Sequence, residues 1–433
     1  MGGLIMAGQL LLSLTLLVVI HELGHFLAAR MFGIKVTKFF IFFDVGFKIW
    51  SKKIGDTEFG FGWLPLGGYV KIAGMIDESM DTEQMKQEPK EWEFRSKPAW
   101  QRLIVMLAGV FMNVIAGILI LSISHMVYTK EYLPVKNVEQ GIYAYPYARY
   151  LGFETGDKII AIDGKPTQRY EDVFSSKLFF AKSITVDRYG QTKEIAIPDT
   201  LYSYLKNGGL FISLDNFNFS IDSCVDNMPI SDLNLKKGSK ILSINRERIK
   251  SFGQLKEILH YNKNRELSFV FDNNGKIDSL DIFIDSTAKL GIYASLPKFT
   301  GAKYNFGTAL LYGWKDAFET VNANIKGYGL IFAGKEKVRE SLQGPIGIAK
   351  VYGAVWDWAK FWRLTGIISM ILAFINVLPI PALDGGHALF LVIEVITGRK
   401  LSDKFMGIVQ VIGMLILLAL MVFVIGNDII NLF

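Results

Sequence analysis

Four stretches of hydrophobic residues dominate the pattern along the chain, at residues 4–29, 103–127, 364–395 and 405–425. The first contains a single charged side chain, Glu22, and the second and fourth contain none. Each stretch reaches the roughly 20 residues that an α-helix needs to cross about 30 Å of hydrocarbon. The third contains Pro379 and Pro381, and prolines break a helix. The pattern therefore predicts about four membrane-spanning helices, the third of them interrupted.

The flanks of these stretches predict how the chain is oriented. The first 20 residues carry no charge, whereas a signal peptide begins with a basic segment, so a retained helix is favoured over a cleaved signal peptide. The positive-inside rule assigns the basic flanks to the cytoplasm. These flanks are Arg30, Lys35, Lys38, Arg95, Lys97, Arg102 and the 398–404 connection. Both termini and residues 129–360 are then predicted to lie outside, although Lys360 and Arg363 oppose the rule.

The more polar middle of the chain contains an internal repeat with an offset of 82 residues. Residues 151–164 and 233–246 share a leucine, a glycine, a lysine and two isoleucines, and Asp163 aligns with Asn245. Each copy predicts a turn, a strand with apolar residues at alternate positions, and a second turn. A helix-like stretch follows each copy, at residues 170–180 and 254–259. A period near 80 residues is too long for a solenoid unit, so we expect two small tandem domains.

The repeat resembles PDZ domains of the permuted bacterial type. Their signature at this point is a glycine, an acidic residue and a short strand that ends in Asp-Gly. The first copy matches this signature, whereas the second departs from it with Ser239 and Asn245-Arg246. The resemblance implies two PDZ-like α/β domains with grooves for peptide termini. Two generic α+β domains without such grooves are the alternative.

The first hydrophobic stretch contains an HExxH motif, His21-Glu22-Leu23-Gly24-His25. Positions i and i+4 lie on one helix face, so both imidazoles can bind one metal ion while Glu22 activates a water molecule. A chance match is the alternative for so short a pattern. Each ionisable side chain at mid-membrane depth costs roughly 2.5–3.5 kcal/mol, and a zinc ion supplies the partner that such groups need. We therefore predict a zinc site at His21 and His25.

A catalytic zinc site usually has three protein ligands, so a third ligand is expected elsewhere in the chain. Asp44 and Glu58 are the nearest carboxylates after the first span. Asp384 is the better candidate, because it follows the proline break, and irregular backbone at membrane depth must face protein or water. A helix N-cap is the alternative role for Asp384, and His387 is a competing ligand.

Together the two motifs resemble the site-2 protease family of intramembrane zinc metalloproteases, and the order of segments resembles its bacterial RseP-like subgroup. The family pairs HExxH with a distant NxxPxxxxDG, which Asn376, Pro379, Asp384 and Gly385 match position by position. The resemblance implies Zn²⁺ as the cofactor, Glu22 as the catalytic base and three metal ligands, His21, His25 and Asp384. It also implies substrate-binding roles for Asn376, Pro379, Gly67 and Gly68.

Three further segments agree with this resemblance. Residues 61–71, which include Gly67 and Gly68, resemble the membrane-associated β-hairpin loop of the family. Asn113 resembles the asparagine of its Gly-x-x-x-Asn motif, although Val110 stands where proline is common. Residues 343–347 resemble the segment that lies near the substrate before the third span.

The predicted fold is a polytopic α-helical membrane protein with about four transmembrane helices, a membrane-associated β-hairpin loop and two tandem extracytoplasmic PDZ-like α/β domains. The predicted segments are a first transmembrane helix (1–31), a cytoplasmic-side loop with the hairpin (32–99), a second transmembrane helix (100–128), two PDZ-like domains (129–212 and 213–298), an amphipathic linker near the substrate (299–360), a third transmembrane segment (361–397) and a fourth transmembrane helix (404–431).

The resemblance implies an enzyme that hydrolyses peptide bonds within the transmembrane segments of single-span membrane proteins. Anti-sigma factors after a first cleavage and remnant signal peptides are the expected substrates. The other expected partners are the lipid bilayer and peptide termini in the PDZ-like grooves. The expected location is the bacterial cytoplasmic (inner) membrane, with the PDZ-like domains in the periplasm. A non-catalytic PDZ-type scaffold and a metal transporter are the alternatives from other classes.

Composition excludes several other classes. The net charge of +6 is modest and no basic patch has interleaved aromatic residues, so no nucleic-acid partner is expected. The single cysteine, Cys224, excludes an intrachain disulfide framework and a cysteine-based zinc cluster. Charged residues make up 20% of the chain, below the roughly 25% of soluble domains, which agrees with a membrane protein that has a water-soluble middle part.

Overall fold

The computed structural model describes residues 2–75, 88–215, 218–225, 230, 235–295, 301–336, 344–400 and 402–430. Two compact units make up the chain. The first, here called the helical unit, combines Met1–Lys130 with Tyr304–Phe433, and the second, here called the middle unit, is Glu131–Lys303. The beginning of the second repeat copy, residues 233–234, and Gln343 of the predicted substrate-near segment lie outside the described residues.

The α-helices of the described residues, in chain order, are α1 (Gly2–Met31), α2 (Ala99–Ser124), α3 (Pro146–Tyr150), α4 (Ser176–Phe179), α5 (Thr200–Lys206), α6 (Phe252–Tyr261), α7 (Phe306–Phe332), α8 (Pro345–Tyr352), α9 (Trp358–Val377), α10 (Asp384–Thr397) and α11 (Asp403–Ile430). A π-helical turn, His125–Thr129, extends α2, and short 3₁₀ helices lie at Phe94–Ser96, Val135–Asn137 and Tyr170–Phe174.

The strands are β1 (Val36–Ile54), β2 (Thr57–Ile72), β3 (Glu131–Tyr132), β4 (Ile142–Ala144), β5 (Lys158–Ile162), β6 (Lys165–Pro166), β7 (Ser183–Arg188), β8 (Gln191–Ala196), β9 (Ile212–Leu214), β10 (Ile221–Cys224), β11 (Lys240–Ile244), β12 (Glu247–Arg248), β13 (Arg265–Asn273), β14 (Lys276–Ile284), β15 (Ile292–Ala294) and β16 (Ala302–Lys303).

Four helices in the described part of the chain are long and apolar enough to cross a membrane: Gly2–Met31, Ala99–Thr129, Trp358–Val377 and Phe405–Ile430. This agrees with the four spans predicted from hydrophobicity. The third hydrophobic stretch is broken, because α9 ends at Val377 and α10 begins at Asp384. The prolines remove backbone donors between them, so the intervening residues form an irregular turn, as expected.

Strands β1 and β2 form a curled hairpin in which one segment of β1 pairs with two different parts of β2. Residues 36–41 of β1 pair with residues 68–72 of β2, and residues 38–41 also pair with residues 58–61. The inner face is buried in a hydrophobic cluster that includes Val36, Phe39, Val70 and Ile72 of the hairpin together with residues of α1, α2 and α10. This packing fixes residues 68–72 at an edge of the two-stranded sheet.

The middle unit contains the structural repeat that the sequence predicts. Its two four-stranded sheets have matching strand orders, β6-β5-β7-β8 and β12-β11-β13-β14. Each sheet belongs to a separate hydrophobic core. Helix α6 lies where residues 254–259 predict one. The stretch 170–180 instead divides into a 3₁₀ helix and α4, because the Ser175 hydroxyl bonds the carbonyl of Asp172 and the amide of Lys177, which competes with continuous helical bonding.

The second copy has Ser239 where the first has Asp157, and the partner of each residue explains this difference. In the first copy Asp157 is completely buried and pairs with Arg188, whose Nε lies 2.7 Å from Asp157 Oδ1. In the second copy the Ser239 hydroxyl donates to Asn273 Oδ1 at 2.9 Å. The ion pair of the first copy thus corresponds to a neutral hydrogen bond in the second. Both partners differ between the copies, so no buried charge is left without a partner.

Candidate active site

Helix α1 places the HExxH side chains on one face, as the spacing predicts. The His21 and His25 imidazoles meet edge to face with ring centroids 4.8 Å apart, and their Nε2 atoms are 3.1 Å apart. Asp384, the first residue of α10, extends Oδ2 to 3.0 Å from His21 Nε2 and 3.3 Å from His25 Nε2. These three side chains therefore converge at one point, although Asp384 follows His21 by 363 residues in the sequence.

The spacing of these three atoms fits a zinc ion. Nitrogen and oxygen ligands at zinc-bond distances in a tetrahedral site are about 3.3 Å apart, close to the observed 3.0, 3.1 and 3.3 Å. Asp384 Oδ2 is buried and makes no hydrogen bond, although both imidazoles are near it. A buried carboxylate oxygen in this position needs a partner, and a cation shared with the imidazoles would supply one. The donor set therefore suits the predicted metal.

Contacts from α2 orient both imidazoles. His25 Nδ1 lies 2.8 Å from the carbonyl oxygen of Val105, so the proton belongs on Nδ1 and the Nε2 lone pair is free for a metal. The Asn113 amide lies 3.3 Å from His21 Nδ1, and Asn113 Oδ1 is buried without a partner. Turning this amide over would let Oδ1 accept the Nδ1 proton and would free His21 Nε2 in the same way. The Ser369 hydroxyl donates to the backbone carbonyl of Asn113 at 2.7 Å, which links α9 to this part of α2.

Glycines let the helices approach closely enough to form the site. A Cβ at Gly24 would lie 2.4 Å from the Ala108 carbonyl oxygen, and a Cβ at Gly109 would lie 2.3 Å from His25 Nε2. On the other wall, a Cβ at Gly385 would meet the Leu378 carbonyl oxygen at 2.2 Å. The glycine of the DG pair is therefore required sterically, since its backbone packs against the turn after α9.

A cavity of about 490 Å³ opens beside the three converging side chains. Glu22, Asn376, Gly67 and Gly68 all line it, so the structure brings these predicted residues to the same space. Pro379 is not among the lining residues and its side chain is exposed. His387 lines the cavity, but it lies outside the cluster that could hold a metal.

The two carboxylates considered as alternative ligands have other partners. Asp44 lines the cavity, but it accepts hydrogen bonds from Tyr69 at 2.8 Å and from Lys38 at 3.1 Å. Burial raises the pKa of the Asp44 carboxyl, and these two bonds outweigh that effect and hold the pKa below its usual value. Glu58 pairs with Lys48 on the hairpin. Neither belongs to a three-residue cluster with the imidazoles within the described residues.

Comparison with known proteins agrees with this geometry. The family model of peptidase family M50 matches residues 9–420. The chain belongs to peptidase family M50. It is therefore a zinc-dependent peptidase of the site-2 protease type, and the sequence-based predictions of family, enzyme class and cofactor are confirmed. The scaffold and transporter alternatives do not agree with this membership.

The similar proteins extend over nearly the whole chain. The "Regulator of sigma E protease" of Haemophilus influenzae is 29% identical, with 98% of each chain covered. The "Putative zinc metalloprotease" of Vibrio cholerae is 27% identical, and the similarity covers 96% of this chain and 97% of that protein. The "Probable protease eep" of Enterococcus faecalis is 27% identical, with 96% of each chain covered. The similarity thus includes the middle unit as well as the helices.

Proposed function

We propose that this chain cleaves the transmembrane segments of single-span membrane proteins in regulated intramembrane proteolysis. The observation that supports this most directly is the shared cavity, where the three converging side chains, Glu22 and a strand edge lie beside apolar helices. Anti-sigma factors after a first cleavage, or remnant signal peptides, are the proposed substrates. The name of the Haemophilus influenzae relative supports the first class.

In the proposed mechanism, His21, His25 and Asp384 hold the zinc ion. A bound zinc ion would polarise the scissile carbonyl and lower the pKa of water towards 7. Glu22 would accept a proton from the attacking water and then donate it to the leaving amine. The Val105 and Asn113 contacts would keep both imidazoles in the tautomer that this chemistry requires.

The hairpin edge and Asn376 are proposed to hold the substrate. A helix hides its carbonyl groups in i to i−4 hydrogen bonds, so a substrate helix must unwind before cleavage. Residues 68–72 form a sheet edge that lines the cavity, and an unwound segment could pair there as an added strand. The Asn376 amide, which lines the same cavity, would bind the substrate backbone. Pro379 is proposed to act through the turn that it creates.

The same proposal gives the chain an orientation. Exposed apolar side chains on the hairpin arms, Val45, Phe47, Ile49, Trp50 and Trp63, suit contact with the membrane. By the positive-inside rule, the basic flanks would put the HExxH end of α1 near the cytoplasmic face. The middle unit would then be extracytoplasmic, in the periplasm of a bacterium with an inner membrane. Its two copies are proposed to be PDZ-like domains, and the shared strand order supports this.

The test uses the full chain in lipid vesicles together with a model single-span substrate. Wild-type protein is expected to contain about one zinc per chain and to cut the substrate within its span. Glu22→Gln keeps the ligands but removes proton transfer, so it should retain zinc and lose cleavage by several orders of magnitude. Substantial turnover by Glu22→Gln, or cleavage by wild-type protein stripped of zinc, would contradict the proposal.

A further inference from the structure

The turn that delivers Asp384 contains a strained residue. Ala382 has φ +74°, in the left-handed region that residues other than glycine rarely occupy. It lies only two residues before Asp384, so its conformation sets the direction in which the chain enters α10. An alanine held in this region persists only when surrounding contacts compensate for the strain.

The compensating contacts come from α11. The Ala382 amide donates to Gln410 Oε1 at 3.3 Å, and Gln410 lines the same cavity as His387 and Asp384. One turn further along α11, Gly413 lies so close to the turn that an added Cβ would be 2.3 Å from the Pro381 carbonyl oxygen. One face of α11 therefore packs directly on the turn.

We propose that Gln410 is a positioning residue that holds Asp384 in place through Ala382. The side-chain carbonyl oxygen of Gln410 accepts the Ala382 N–H and so bonds the backbone of the turn directly. Ala382 lies two residues before Asp384, which is the first residue of α10. Gln410 thus fixes the backbone immediately before the residue whose carboxylate reaches the imidazoles.

This inference rests on the proposed role of Asp384 as a metal ligand. A catalytic constellation must be held within about 0.5 Å of its productive geometry, and contacts to the groups around a ligand typically change metal affinity by 10–100-fold. Without the Gln410 oxygen, Ala382 would relax to a common backbone conformation and Asp384 would lose its direction. The expected consequence is weaker zinc binding without loss of the fold.

The first measurement compares zinc affinity in two variants of the full chain, by competition with a chelator in detergent. Gln410→Met keeps the length of the side chain and removes the hydrogen bond to Ala382, and is expected to weaken zinc binding by about tenfold or more. Ile408→Met is the matched control, since Ile408 lies on the same helix and is 61% exposed. It should bind zinc like the wild type. Equal affinity in both variants would overturn the proposal.

The second measurement separates positioning from general damage to α11. Glycine adopts φ near +74° without strain, so Ala382→Gly should hold the turn with less help from Gln410. In that background Gln410→Met should cost less than about threefold in zinc affinity. The same tenfold loss in both backgrounds would mean that Gln410 does not act through Ala382. If the wild type binds no zinc, the proposed function fails, and this outcome is distinct from failure of the Gln410 role.

Discussion

The substitution Gly109→Ala tests whether close helix packing forms the metal site. Gly109 lies on α2 opposite the two histidines. The added methyl group would be 2.3 Å from His25 Nε2 and 2.7 Å from His21 Cε1. Both rings would have to move, and the ring of His25 also has a hydrogen bond to the Val105 carbonyl that restricts its movement.

The size of the effect follows from these distances. Ordinary contact begins near 3.4 Å, so His25 Nε2 has to retreat by about 1 Å. A displacement of about 1 Å in a catalytic arrangement can reduce the rate by about 100-fold. The Nε2 atom is also the proposed ligand atom, so zinc affinity should fall together with activity. We therefore expect Gly109→Ala to lose at least about 100-fold in cleavage and to retain little zinc.

The assay is zinc content by elemental analysis together with cleavage of a single-span substrate in vesicles. Gly117→Ala is a suitable control because it makes the same change on the same helix. Its Cβ would meet the Met370 sulfur at 2.7 Å, and a methionine side chain can adapt. This control should reduce thermal stability modestly and keep zinc. If Gly109→Ala retains normal zinc content and activity, the argument that close packing forms the site is wrong.

Three further outcomes are expected. Asp384→Ala should abolish cleavage and weaken zinc retention in the chelator assay. Asp44→Ala should keep zinc, because Asp44 lies outside the cluster of His21, His25 and Asp384; the reverse result would reassign the third ligand. Arg188→Met should lower the free energy of unfolding of the middle unit by about 3 kcal/mol, measured by proteolysis in urea, because it leaves buried Asp157 without its partner. A glycine near the scissile bond of the substrate should raise the cleavage rate over an all-leucine span, since glycine lowers helix stability by about 1 kcal/mol; equal rates would contradict the unwinding step.

The parts of the site that could be predicted from the sequence are those fixed by local geometry. The i, i+4 spacing of His21 and His25 brings their rings together on any helix, and it does so on α1. The proline break predicts an irregular turn inside the third stretch, and Asp384 lies directly after that turn. Each of these features depends only on residues a few positions apart, which is why hydrophobicity and spacing are sufficient.

The contacts around the ligands could not be predicted in the same way. Val105 and Asn113 meet the imidazoles across 80 and 92 residues of sequence. Which face of α2 turns towards α1 depends on how the two helices rotate about their axes. Residues 103–127 contain no Asp, Glu, Lys or Arg, so charge patterning does not indicate that rotation. The resemblance to a Gly-x-x-x-Asn motif indicated Asn113 but not its contact with His21. The small residue Gly109 was a second signal, because close helix packing in membranes uses such residues.

The close approach of α1 and α2 connects two properties of the site that would otherwise be independent. Gly24 and Gly109 allow the backbones to come together, and that approach leaves space for the two imidazoles. The same approach brings the Val105 carbonyl to His25 Nδ1, which sets the tautomer. A larger residue at either glycine would therefore disturb both the position of the ligand atoms and their protonation. The proposed metal site therefore depends on the close packing of α1 and α2 as well as on Asp384 from α10.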